Sequence, residues 1–102
     1  MAVWDDVIEE LCADPQVGRG MMFGRRAAKL GRRVFAFERD DDIVVKLGPE
    51  RSAALTEAGL ASIFQPGGYG PMTNWAVVPQ ADSGDPVAAW VELAEEAKDR
   101  LE

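Results

Sequence analysis

The chain has 102 residues, 47% of them hydrophobic and 28% charged, with a formal charge of −7, one cysteine and no histidine. These values describe one globular domain over 1–102 with enough apolar material for a core, and they exclude a disordered chain and an intramolecular disulfide. Without histidine there is no zinc site of the usual kind and no Ser-His or Cys-His nucleophile.

The first predicted element is a helix over about 2–13. Val3, Trp4, Val7, Ile8, Leu11 and Cys12 recur at three- and four-residue spacing, while Asp5, Asp6, Glu9 and Glu10 fill the other face. Pro15 ends it, and Cys12, at the apolar edge of the stripe, reads as a packed thiol. This N-terminus carries acids where a secretory signal would carry Lys or Arg, so export is not expected, and the lone cysteine fits a reducing cytoplasm.

Strands follow over 17–23, 25–30, 34–38 and 43–47, with Gly24 and Gly31 marking tight turns and Arg39-Asp40-Asp41-Asp42 a polar one. Short connections between them predict an antiparallel meander. Pro49 opens a second helix that ends near Gly59, and Ser52 falls inside it, away from any base. Two more strands are expected near 62–65 and 74–78, around the loop PGGYGPMT. Asp85 caps a last helix, in which Val87, Trp90, Ala94, Ala97 and Leu101 keep helical spacing. The uncharged stretch 60–81 is broken by Pro66, Pro71 and Pro79, so no membrane span is expected.

The order α-β-β-β-β-α-β-β-α predicts an α+β fold, an antiparallel sheet with helices packed mainly on one face. Alternation puts Val34 and Ala36 on one side of their strand and Phe35 and Phe37 on the other, so both sheet faces are apolar. The side without helices needs a cover: the loop bearing Tyr69 and Met72, or a second copy of the chain forming a homodimer.

Met22-Phe23-Gly24, Gly31, Val34-Phe35-Ala36, Val44-Val45-Lys46-Leu47 and Pro49-Glu50-Arg51 form an ordered set. Phe64-x-Pro66, Gly67-Gly68, Pro71-Met72, Trp75, Val78 and Trp90 continue it. Over about residues 4–100 the chain resembles the TfoX N-terminal domain family (TfoX/Sxy-like), with the MmcQ/YjbR-like proteins as the nearest competitor. The resemblance implies a compact α+β domain with an antiparallel sheet, without known catalytic residues or cofactor, of a type found in bacterial competence regulators and in small stand-alone proteins. Arg25 stands where that family often has a second glycine, and the regulators' second, helical domain has no counterpart here, so a transcriptional role is not expected.

Charge is unevenly spread. Residues 1–18 carry −5, residues 19–33 carry +6 and residues 34–102 carry −8. Arg19, Arg25, Arg26, Lys29, Arg32 and Arg33 make up the basic block. One reading pairs these cations with acids such as those of the first helix and has them guard a sheet edge. A second makes Arg25, Arg26, Lys29, Arg32 and Arg33, with Tyr69 and Trp75, a binding surface for an acidic protein partner or for self-association. A third makes the chain a small-ligand or phosphate-binding protein, or an enzyme, using a cleft near Tyr69, Trp75 and the basic block. The fourth, nucleic acid along Arg19–Arg33, is disfavoured because the flanking segments sum to −13. Asp40-Asp41-Asp42 is the best carboxylate candidate for Mg²⁺ or Ca²⁺, but three consecutive acids diverge, so the run reads as a solvated turn. No metal, no cofactor and no enzymatic activity are expected; the chain reads as a regulatory or protein-interaction module.

Overall fold

The computed structural model describes residues 3–39, 42–65, 70–80 and 85–101. Among them run helix α1 (Val3–Leu11), strands β1 (Val17–Met22), β2 (Arg25–Leu30), β3 (Arg33–Arg39) and β4 (Asp42–Lys46), helix α2 (Pro49–Glu57), strands β5 (Ser62–Phe64) and β6 (Met72–Pro79), and helix α3 (Pro86–Asp99). The strands form one antiparallel sheet in the order β1-β2-β3-β4-β6-β5. The fold is the expected α+β arrangement.

Local chemistry sets each turn. Phe23 and Gly24 join β1 to β2 with φ of 53° and 72°, the two positive values of the tight hairpin turn whose twist suits flanking strands. Gly31, at φ 64°, opens the next two-residue turn, where only the first position needs the left-handed region. Helix α2 ends in a Schellman motif: Gly59 takes φ 76°, its N–H donates to Thr56 O at 3.1 Å, and Leu60 N–H donates to Leu55 O at 3.0 Å. Helix α3 begins at Asp85, whose Oδ1 accepts from the N–H groups of Val87 (3.0 Å) and Ala88 (3.3 Å).

All three helices lie on one side of the sheet. Their core joins Trp4, Val7, Ile8 and Leu11 of α1, Leu55 of α2, and Trp90, Ala94 and Ala97 of α3 to sheet residues including Phe35, Ala36, Ile43 and Val45. Burying each large side chain of this set contributes roughly 1.5–3 kcal/mol before conformational entropy is counted. The far side has its own small core of Ala27, Phe37, Val44, Phe64, Trp75 and Val77, with no helical residue among the described ones.

Strand β3 departs from simple alternation. Ala28 pairs with Ala36 but Lys29 pairs with Val34, so Phe35 is the extra residue of a β-bulge. Phe35 and Ala36 therefore both face the helices, while Val34 and Phe37 face away. This corrects the alternation drawn from the sequence, which put Val34 with Ala36 and Phe35 with Phe37.

Candidate interaction surface at the β1 edge

The basic block folds into β1, β2 and the start of β3, at one margin of the sheet. Consecutive residues of β2 point to opposite faces, so the block divides. Arg26 points to the helix side, and its guanidinium donates to Glu38 (Nε to Oε1 and Nη2 to Oε2, both 2.8 Å) and to Asp5 of α1 (Nη1 to Oδ1, 2.7 Å). Its pKa is held above the usual arginine range, first by the Glu38 hydrogen bond and then by Asp5. Arg26 thus fastens α1 to the sheet, as the pairing reading expects. Arg33 Nη1 donates to the Leu101 carbonyl at 3.1 Å and ties β3 to the segment after α3.

On the other side, Lys29 of β2 crosses its neighbour. A Cβ placed on Gly20 would meet Lys29 Cδ at 3.1 Å, and one on Gly18 would meet Cε at 3.7 Å. The two glycines of β1 thus leave a trough in which the lysine stem lies, with its ammonium carried toward the free edge. The side chains of Arg19, Lys29 and Arg32 make no ion pair or hydrogen bond among the described residues.

Strand β1 is an outer strand, so one row of its backbone N–H and C=O groups faces no neighbour in the sheet. At its turn end two large apolar side chains stand out, Met21 at 64% exposure and Phe23 at 53%. Phe23 holds a left-handed backbone that a bulky residue rarely adopts. Its ring lies 6.0 Å from Phe37 and 5.8 Å from Phe64, capping the margin of the far-side core.

That core is largely sealed already. Phe37, Phe64 and Trp75 are buried, with the Arg39 guanidinium 5.9 Å above the Phe64 ring and the Lys46 ammonium 5.9 Å above Trp75. Partly buried Met72 packs against the same cluster. Tyr69, the other expected cover, lies outside the described residues, as do Asp40 and Asp41 of the acidic turn. A face-to-face dimer would find little apolar surface here, and the rings are not an open stacking platform for bases.

The residues proposed from sequence as one site are therefore dispersed. Arg25 opens β2 and Arg32 lies in the turn beyond its other end, with roughly 17 Å of strand between. Arg26 points to the helix side, Arg33 is tied to Leu101, and Trp75 is buried under Lys46. Of the named set, Lys29 and Arg32 remain for a partner, joined by Arg19. Met21 and Phe23 were not singled out as site residues; a bulky residue before Gly24 in a two-residue turn was the available signal. Comparison with family models, curated proteins and solved structures returns no match.

Proposed function

We propose that the chain is a non-enzymatic protein-interaction module of the cytoplasm, and that β1 docks an extended, acidic segment of a partner protein. The observation that carries this reading is an open strand edge flanked by the cations Arg19, Lys29 and Arg32 and ending in exposed Met21 and Phe23. Strand addition would supply main-chain hydrogen bonds, the cations would select acidic side chains, and the Met21–Phe23 tip would take one apolar anchor. Pairing of β1 with a second copy of itself would set Arg19 and Lys29 against their own duplicates, which like-charge repulsion opposes. The α+β order is the one that the likeness to the TfoX N-terminal domain implies.

A labelled ten-residue peptide alternating Glu with Val tests this against its Lys-Val counterpart, by fluorescence anisotropy at low and moderate salt. The acidic peptide binds, salt weakens it, and amide exchange slows along Val17–Met22. Reversing Arg19 and Lys29 to Glu lowers affinity at least about tenfold, since two charge-assisted contacts are lost. Phe23→Asn weakens binding while the fold is kept, because asparagine tolerates the left-handed turn position and that relief offsets part of the packing lost against Phe37 and Phe64. Equal binding of the two peptides would sink the proposal.

A further inference from the structure

Strand β1 pairs outward only through residues whose N–H and C=O point away from β2, and its turn fixes which they are. The two-residue turn at Phe23-Gly24 closes on Met22 and Arg25, which therefore exchange both main-chain bonds. Bonded pairs alternate along an antiparallel ladder, so Gly20 with Ala27 and Gly18 with Lys29 are bonded pairs as well. Val17, Arg19 and Met21 direct their backbone groups to the open side.

The next turn gives the same phase independently. Its two residues, Gly31 and Arg32, make Leu30 and Arg33 a bonded pair, so Leu30 faces β3 and its β1 partner Val17 faces out. The Val17 N–H is turned from the sheet accordingly, donating to the Asp14 carbonyl at 3.0 Å. That bond also ends the usable edge. With the Val17 N–H taken and Met22 turned inward, Arg19 and Met21 keep both a donor and an acceptor. Both residues are exposed, and among the described residues neither makes a backbone bond outside the sheet. Their side chains share a face with Val17, which packs in the helix-side core, while Lys29 crosses the opposite face.

We infer that a partner strand pairs with Arg19 and Met21 in one register, with an acidic residue opposite Arg19 and an apolar one opposite Met21. Antiparallel pairing, the more stable kind per residue, puts the apolar residue two positions before the acid. The residue between them lies over Gly20 and the Lys29 stem, and its own N–H points to solvent. This rests on the docking role of β1 and adds the register and the order of the partner's side chains.

Amide exchange in the free ¹⁵N-labelled chain tests the phase: Arg19 and Met21 exchange fast, while Gly18 and Gly20 are protected. The reverse pattern would overturn it whether or not a peptide binds. The docking probe is a labelled peptide, Gly-Ser-Thr-Val-Thr-Glu-Thr-Ser-Gly, followed by fluorescence anisotropy. Its binding slows exchange at Arg19 and Met21. N-methylation of the Val or the Glu weakens binding about fivefold or more, one main-chain bond each, whereas N-methylation of the Thr between them changes it less than about twofold. Exchanging the Val and the Glu also weakens binding, and equal or tighter binding would overturn the stated order. An equal loss from all three methylated peptides would overturn the register and leave docking intact. No binding by the parent peptide would remove the docking role of β1 itself, and the partner's register with it.

Discussion

Ser52 Oγ is fully buried and has no hydrogen-bond partner among the described residues. A hydroxyl in that position has lost its water without replacement, and serine is also a poorer helix former than alanine. Ser52→Ala therefore stabilises the fold by roughly 1 kcal/mol, read as a raised urea midpoint at unchanged m-value. A lowered midpoint would mean that the hydroxyl has a partner after all. Phe23 is the opposite case: its left-handed backbone is strained, and the strain holds an aromatic ring half in water. Helical periodicity and turn chemistry made most residue-level features of the fold legible. The Phe35 bulge was not legible, because an extra residue in a strand is defined only by the pairing with Ala28 and Lys29.

At the level of elements, caps and pairings decide stability. Helix α3 supplies Trp90, Ala94 and Ala97 to the core, and its first turn depends on the Asp85 carboxylate. Asp85→Ala costs about 1 kcal/mol in thermal or urea unfolding, whereas Asp85→Asn, which keeps an acceptor oxygen, loses much less. Equal losses would assign the effect to charge rather than to capping. Helices α2 and α3 are linked through Arg51, Glu96 and Arg100, an exposed network of small net value.

Across the whole molecule, charge is segregated: acids line the exposed faces of α1 and α3, and cations gather at the β1 margin. Among the described residues, ion pairs that join separate elements include Arg26 with Asp5, Arg51 with Glu96 and Lys98 with Asp14. The Asp14 carboxyl is held below the usual carboxylate range, first by the Lys98 hydrogen bond at 2.8 Å and then by the Gln16 N–H. Lys98 is held above its usual range, chiefly by that same bond. A depressed carboxylate stabilises the fold fully above about pH 4, and that share is lost as pH falls through its folded value. The raised lysine stabilises it fully below about pH 10, and that share is lost as pH rises through its own folded value. Asp14→Asn should thus lie below the parent chain in urea midpoint at pH 7. The gap should narrow as the pH drops below about 4, and a gap that stays constant with pH would show that the ion pair is not its source.

The sequence by itself determined the element order, the caps at Asp85 and Gly59, the turns at Gly24 and Gly31, and the apolar stripe of α1. Each of these follows from interactions within a few residues: side-chain period, backbone φ and local hydrogen bonds. Tertiary structure alone decided which of the adjacent Arg25 and Arg26 meets α1, that Lys29 fills the trough over Gly18 and Gly20, and that Leu55, Val78 and Trp90 line one open cleft between α2, β6 and α3. Those outcomes depend on strand register and on elements far apart in the chain, where a shift of one residue turns a side chain to the opposite face.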